Sequence, residues 1–171
     1  MTQLPDAEQL ALDLAHRIGL YLSEPGRAAS CALVGIHTGG AWLAERLQQA
    51  LGGDLPLGAL DVSFYRDDFQ RIGLHPETKP SRIPFEVEGC HIILIDDVLN
   101  TGRTVRAAMN YLFDYGRPAS ISLAVMIDRG GRELPVAARF VGAAIDLERS
   151  RNIQLERGAD GRLSLSLKEA V

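Results

Sequence analysis

The stretch HIILIDDVLNTGRT, from His91 to Thr104, decides how the rest of the chain is interpreted. Aliphatic residues fill positions 92–95 without polar alternation, which is typical of a strand buried on both faces of a parallel sheet. Asp96 and Asp97 follow, at the carboxyl end of the predicted strand. Because parallel α/β sheets bind ligands beyond the carboxyl ends of their strands, the two aspartates are candidates for a functional site.

The residues NTGRT that follow the acidic pair predict a phosphate site. Gly102 lets the backbone turn and approach a ligand closely, and the amides from Thr101 to Thr104 open a helix beside two threonine hydroxyls. Upstream, Asp96 and Asp97 can accept hydrogen bonds from a ribose diol. A sugar 5-phosphate held in this way would place its anomeric carbon near negative charge, which stabilises an oxocarbenium-like centre.

Strands and helices alternate along the chain. Helical spacing predicts helices that begin after Asp6, at Ala41 and near Val105, and apolar runs predict strands at 31–36, 57–65 and 120–128. Asp61 lies near the middle of the second of these strands and indicates a sheet edge or a polar contact. Residues 152–169 alternate around an Ala-Asp-Gly turn and predict an antiparallel hairpin. The fold class is therefore α/β, with a mostly parallel sheet flanked by helices and a C-terminal β-hairpin.

Composition limits the possible classes of protein. The 171 residues are 46% hydrophobic and 23% charged, which suits one globular domain. A net charge of −4 gives no overall attraction to nucleic acid. Cys31 and Cys90 lack a CxxC spacing, so buried thiols in a reducing cytoplasm are expected. The acidic N-terminus and the lack of a long apolar run predict a soluble cytoplasmic protein with no membrane segment.

A long loop is expected between the second predicted strand and the acidic stretch. Residues 66–84 are polar, carry three prolines and show no period, which predicts a mobile active-site loop. The histidines at 16, 37, 75 and 91 show no ligand spacing, so no metal site built by the protein is expected.

The acidic pair has one other interpretation that stays open on the residues alone and two that the sequence argues against. The pair and its Thr-Gly turn could be an ordinary helix cap at a strand end. A receiver-type magnesium site, with Lys79 as its lysine, requires the acidic pair to precede most of the sheet, and here it does not. A nucleotide-hydrolase phosphate loop is excluded because the sequence contains no GxxxxGK[ST].

The stretch IILIDDVLNTGRTVRAAM, residues 92–109, resembles the phosphoribosyl-pyrophosphate-binding motif of type I phosphoribosyltransferases. Three flanking segments are similar to the pyrimidine operon regulatory protein family (PyrR), and the similarity runs from about residue 6 to residue 157. These segments are VGIHTGGAWLAERL at 34–47, SFYRDD at 63–68 and GRPASISLAVMIDRGGRELPV at 116–136. The resemblance implies a type I phosphoribosyltransferase fold with a small hood. It also implies two activities: a uracil phosphoribosyltransferase that makes UMP and pyrophosphate, and a regulator of pyrimidine genes by transcriptional attenuation.

The resemblance also implies roles for individual residues. Asp96 and Asp97 would hold the ribose hydroxyls and act in catalysis. Phosphoribosyl pyrophosphate would further contact Asn100, Thr101, Gly102, Arg103 and Thr104. The pyrophosphate loop would be His37, Thr38, Gly39 and Gly40, often with an unusual cis peptide. The hood residues facing uracil would be Asp128 and Arg129, and the flexible loop would carry Tyr65, Arg66, Asp67 and Asp68.

Two positions depart from common family patterns. The family often has an arginine where Gly39 stands, so the backbone is expected to do more of the pyrophosphate binding. Asn100 stands where purine-using relatives have an aspartate proposed as a base, and an amide cannot take a proton. These departures leave open a nucleotide sensor with little catalysis, and a purine phosphoribosyltransferase is a further alternative.

Cofactor and partners follow from the resemblance alone. Magnesium is expected on the pyrophosphate substrate, held mainly by its oxygens and by waters. A homo-oligomer and binding to pyrimidine-operon messenger RNA are also implied. The arginines that could contribute a basic surface are Arg17, Arg27, Arg139, Arg149 and Arg151.

Overall fold

The computed structural model describes residues 3–63 and 81–170. The helices are α1 (Ala7–Leu22), α2 (Gly39–Ala50) and α3 (Arg103–Tyr115), and a 3₁₀ turn covers Ala28–Ser30. The strands are β1 (Cys31–Ile36), β2 (Leu57–Leu60), β3 (His91–Leu99), β4 (Ser120–Asp128), β5 (Phe140–Ala144), β6 (Arg151–Arg157) and β7 (Leu163–Glu169).

A parallel sheet carries the fold. Its strands lie in the order β2-β1-β3-β4-β5, and every neighbouring pair is parallel. β3 lies at the centre, and residues 92–96 are buried, as the unbroken apolar run predicted. The carboxyl end of β3 therefore lies between the ends of β1 and β4.

Helices cover both faces of the sheet. α1 and α2 pack on one face, where Leu14, Leu43 and Leu47 meet side chains such as Ile93. α3 packs on the other face through residues that follow a helical period, namely Val105, Ala108 and Leu112. The sheet is thus closed from water on both sides, and polar ligands can reach it mainly at the strand ends.

The C-terminal hairpin, residues 151–169, packs over the first helical layer, and we call it the hood; the predicted hood residues Asp128 and Arg129 lie outside it, at the end of β4. β6 and β7 pair antiparallel, and Ile153, Leu155 and Leu163 join the core that α1 and α2 share with the sheet. Two polar anchors fix the hairpin to these helices. Arg46 donates to the carbonyl of Gly161 and pairs with Glu8, and Arg157 pairs with Glu45 at 2.9 Å.

Most predicted elements are confirmed, and the differences have local causes. β2 ends at Leu60, so the prediction that Asp61 lies within a strand is wrong. Asp61 instead makes a turn, because its carboxylate accepts the amide of Ser63 at 2.9 Å. β2 is an edge strand, as Asp61 indicated. β5 was not predicted, since its sequence FVGAA is rich in residues with little strand preference.

Two further predictions change at their boundaries. α2 begins at Gly39 and not at Ala41, so the predicted glycine turn forms the first turn of the helix. The last part of the predicted loop 66–84 runs beside β2, where Arg82 and Ala59 exchange backbone hydrogen bonds of 2.8 Å. Residues 66–80 of that loop lie outside the described residues.

The two thiols are free: Cys31 is buried and Cys90 is half-buried. Burial raises the pKa of the Cys31 thiol to about 11. Within residues 3–63 and 81–170, none of the helices is long and apolar enough to cross a membrane.

Candidate active site

Two helix N-termini meet the acidic end of the central strand. α2 follows β1 through His37 and Thr38, and α3 follows β3 through the short loop 100–102. The first turn of a helix presents amide groups without intrahelical partners and a partial positive charge. The end of β3 therefore has two anion-attracting helix ends beside its own carboxylates.

Glycines allow α2 to approach the sheet. A Cβ at Gly35 of β1 would lie 2.6 Å from the Cα of Ala41, and a Cβ at Gly40 would lie 2.5 Å from the carbonyl oxygen of Ile95. Real Cβ atoms do not occupy such positions, so any side chain there would push the helix away. The amides at the start of α2 consequently lie against the backbone that carries Asp96.

Both aspartates adjoin the loop that precedes α2. Asp96 is 3% exposed, and its Oδ1 accepts the amide of Asp97 at 3.0 Å. Asp97 is half-buried, and its Oδ1 accepts the amide of Val98 at 2.9 Å. A Cβ at Gly39 would lie 2.3 Å from Oδ2 of Asp97. The acidic pair and the predicted pyrophosphate loop are therefore in direct contact, and β3 continues past the pair to Leu99.

The predicted pyrophosphate loop contains the backbone feature that the resemblance implied. The peptide bond between His37 and Thr38 is cis. The amide of His37 donates to the carbonyl of Leu60 at 2.8 Å, which ties the loop to β2. In this geometry an arginine at position 39 would need Asp97 to move, so Gly39 suits the observed position of that carboxylate.

The predicted phosphate loop is a tight turn between β3 and α3. Gly102 has φ of +91° and caps α3, a conformation that glycine adopts without strain. The hydroxyl of Thr101 accepts the amide of Arg103 at 3.2 Å. The side chain of Arg103 also pairs with Glu133 at 2.8 Å, and both partners are about half exposed. The loop is thus shaped by contacts within the protein itself.

The segment that begins at the last residue of β4, residues 128–136, wraps this phosphate loop. The amides of Glu133 and Leu134 donate to the carbonyl of Thr101 at 3.0 and 3.1 Å, and the amide of Arg129 donates to the carbonyl of Leu99. A Cβ at Gly102 would lie 3.2 Å from the side chain of Val136. We call residues 128–136 the wrapping segment.

Asp128 and Arg129, the predicted base contacts, already have protein partners. Arg129 donates to the side-chain oxygen of Asn152 on β6 at 2.5 Å. Asp128 pairs with Arg132 at 2.5 Å and accepts the amide of Gly130 at 3.0 Å. Partial burial opposes ionisation of Asp128, but the hydrogen bonds from Arg132 and Gly130 and the charge of Arg132 outweigh it, and its pKa is lowered.

The two remaining candidates that the structure describes, Asn100 and Thr104, lie in different elements. Asn100 lies between the two segments: its carbonyl accepts from Arg132 at 2.9 Å, and a Cβ at Gly131 would lie 2.8 Å from its Oδ1. Thr104 lies in the first turn of α3. The flexible-loop candidates Tyr65, Arg66, Asp67 and Asp68 lie outside the described residues.

Arg132 is the residue that the sequence analysis missed. Its guanidinium contacts Asp128, the carbonyl of Asn100 and, at 3.0 Å, the carbonyl of Val136. The spacing of Arg132 from Asp128 was the signal in the sequence for this contact. An arginine four residues after an aspartate that ends a strand can fold back and pair with that aspartate. The glycines between them obscured that signal, since they indicated only a turn.

The carboxylates fit a magnesium ion that arrives on a phosphorylated ligand. Asp97 is partly exposed beside two helix N-termini, and carboxylate oxygens are hard ligands of the kind that magnesium prefers. Over residues 3–63 and 81–170, no group of three or more His, Cys, Asp or Glu side chains is arranged to hold a metal ion.

The fold defines a class of α/β protein in which two helix N-termini lie at the carboxyl end of a central parallel strand. A family model described as "Phosphoribosyl transferase domain" matches residues 2–148. The "Bifunctional protein PyrR" of Pseudomonas paraeruginosa is 51% identical over 152 residues, which cover 89% of each chain. The protein of the same name from Pseudomonas fluorescens is 48% identical over 95% of this chain and 96% of its own. The chain therefore belongs to the PyrR family of phosphoribosyltransferases.

Solved structures support the fold. A hypoxanthine-guanine phosphoribosyltransferase from Bacillus anthracis matches with a TM-score of 0.67 and 16% identity, covering 90% of this chain and 87% of its own. A hypoxanthine phosphoribosyltransferase from Staphylococcus aureus matches with a TM-score of 0.65 and 21% identity, covering 90% and 81%. At such identities the likeness concerns the type I phosphoribosyltransferase fold alone.

The contact between Gly39 and Asp97 gives a testable prediction. Gly39→Ala should lower the free energy of unfolding by about 1–3 kcal/mol, because the new Cβ would overlap the carboxylate. In an Asp97→Ala background the same change should cost clearly less, and urea denaturation measures both. Gly19→Ala is the matched control: its Cβ has 3.6 Å to the nearest neighbour, and helix propensity should make it stabilising. Equal costs of Gly39→Ala in the two backgrounds would contradict the contact.

Proposed function

We propose that this protein transfers ribose 5-phosphate from phosphoribosyl pyrophosphate to uracil, giving UMP and pyrophosphate, and that it also regulates pyrimidine genes. One observation carries the catalytic proposal: Asp96 and Asp97 lie against the start of α2 and near the end of the strand that leads into the phosphate loop. A ligand with a phosphate at each end and a sugar diol between them matches this order of groups.

We assign a part of the ligand to each element. The amides at the start of α2 bind the pyrophosphate, and those of the loop around Thr101 and Gly102 bind the 5-phosphate. The ribose hydroxyls donate to Asp96 and Asp97. Magnesium bound through the pyrophosphate oxygens, with Asp97 nearby, would neutralise charge on the leaving group.

The chemical step follows from the residues near the sugar. The bond between C1 of the ribose and the pyrophosphate oxygen breaks, and the electron pair leaves with the pyrophosphate. N1 of uracil bonds to C1 and loses its proton to solvent. The carboxylates at the end of β3 stabilise the positive charge on the sugar in the transition state. Asn100 cannot accept the proton, and Asp128 is already engaged by Arg132, so the reaction relies on the electrophilic sugar.

A pyrophosphate-release assay tests this proposal. The parent should turn over with uracil, and Asp97→Asn should lower kcat/KM by about 100-fold or more, because the amide lacks the stabilising charge. Asp13→Asn, the same change on an exposed position of α1, should leave turnover unaffected. Turnover with hypoxanthine or guanine but not uracil would identify a purine enzyme. UMP binding without turnover of any base would identify a sensor, and either result would contradict the enzymatic proposal.

The regulatory proposal includes binding to RNA of a pyrimidine operon by a self-associated form of the protein. A specific observation favours one surface for it. The guanidinium groups of Arg27 and Arg139 lie 4.0 and 4.4 Å from the ring centroid of Tyr21, and Arg17 donates to the carbonyl of Val141. Three of the five arginines singled out in the sequence therefore gather near α1 and β5, where they can neutralise phosphates. Arg149 and Arg151 lie at the start of the hood hairpin.

A filter-binding titration against salt tests the RNA proposal. The affinity of the parent for operon leader RNA should fall steeply with salt, and Arg139→Met should reduce the logarithmic slope by about one for each phosphate that the variant no longer neutralises. Arg117→Met is the control, since Arg117 is exposed and follows α3, which packs on the face of the sheet opposite to α1. An unchanged slope for Arg139→Met would exclude this surface as the RNA-binding one. Absence of RNA binding by the parent at low salt would contradict the regulatory proposal as stated.

A further inference from the structure

The guanidinium of Arg132 joins two parts of the candidate site that are separate in sequence. One nitrogen pairs with Asp128 at the end of β4, and another donates to the carbonyl of Asn100, which directly precedes the phosphate loop. Nε donates to the carbonyl of Val136, which fixes the guanidinium within its own segment. The side chain is 26% exposed, so these contacts are partly shielded from water.

These contacts add a side-chain link to the backbone hydrogen bonds that already join the two parts of the chain. Asp128 and Gly130 form the turn that faces the hood, whereas Asn100 and Thr101 begin the turn that leads into α3. The backbone of the wrapping segment binds the carbonyls of Leu99 and Thr101, but the carbonyl of Asn100 between them is held by Arg132. A planar guanidinium can hold such divergent acceptors at fixed angles, and an ammonium group cannot.

We infer that Arg132 is a positioning residue that fixes the turn 128–131 relative to the phosphate loop 101–104, so that a nucleoside monophosphate spanning both is bound as one unit. The inference rests on the proposed function, since it assigns the base to the first turn and the 5-phosphate to the second. Arg132 itself touches neither end of the ligand. Because Arg132 aligns the two turns before the ligand binds, none of the binding free energy of the ligand is lost in aligning them.

This alignment should affect the affinities for UMP and for ribose 5-phosphate to different extents. Ribose 5-phosphate contacts the phosphate loop and the aspartates of β3 but not the turn 128–131, so it gains little from the alignment of the two turns. UMP contacts both turns and gains from it fully. The ratio of the two affinities therefore reports the alignment, and a general loss of folding would lower both affinities together.

Calorimetric titration of UMP and ribose 5-phosphate tests the inference. Arg132→Met should weaken UMP binding at least about fivefold more than ribose 5-phosphate binding, as expected for loss of coupling between two subsites. Arg132→Lys should recover only part of this difference, because it keeps the charge without the planar geometry. Should the Met variant fail to fold, the Lys variant carries the test. Arg117→Met, an exposed arginine at the opposite end of the sheet, should leave both affinities unchanged.

A double-mutant cycle separates positioning from structural damage. In an Asp128→Asn background, Arg132→Met should have a smaller effect on the ratio, since one of the joined groups has already changed. Equal losses for UMP and ribose 5-phosphate in both Arg132 variants would overturn the inference and leave the proposed function intact. If the parent binds GMP and not UMP, the assignment of uracil is wrong, and the Arg132 ratio is measured with GMP. A parent that binds no nucleoside monophosphate more tightly than ribose 5-phosphate would overturn the inference itself.

Discussion

The approach of α2 to the central strand is the constraint on which the candidate site depends. Gly35 of β1 and Gly39 and Gly40 of α2 leave no room for a Cβ between the first turn of the helix and the strands β1 and β3. Because of this contact, amide groups lie beside Asp96 and Asp97 instead of a side chain's width away. Like charges at the end of β3 would repel a phosphorylated ligand, and the adjacent helix N-terminus offsets that repulsion.

A second set of contacts holds the part of the site around the phosphate loop. The wrapping segment binds three successive residues, 99–101, through its own amides and through Arg132. The hood is attached to the helices through Arg46 and Arg157, and to the wrapping segment through the bond from Arg129 to Asn152. The proposed base side is therefore connected to both the phosphate loop and the hood, while the pyrophosphate side depends on α2.

Most of the fold and part of the site could be predicted from the sequence. The strands β1, β3 and β4 were predictable because continuous aliphatic runs bury both faces of a parallel sheet, and the turn before α3 because Gly102 is needed at positive φ. The edge strand β5 was not predictable, because three of its five residues are glycine or alanine, which have little strand preference. The role of Arg132 depends on two carbonyls and a carboxylate that only the folded chain brings together. Periodicity carries no information about such contacts.

The arrangement of one ligand across β3 is the central claim, and a crystal structure with phosphoribosyl pyrophosphate and magnesium tests it most directly. We expect pyrophosphate oxygens at the amides of residues 38–40, ribose hydroxyls on Asp96 and Asp97, and the 5-phosphate within 101–104. Density for the ligand at any other part of the sheet edge, or with its two phosphate ends exchanged, would contradict this arrangement.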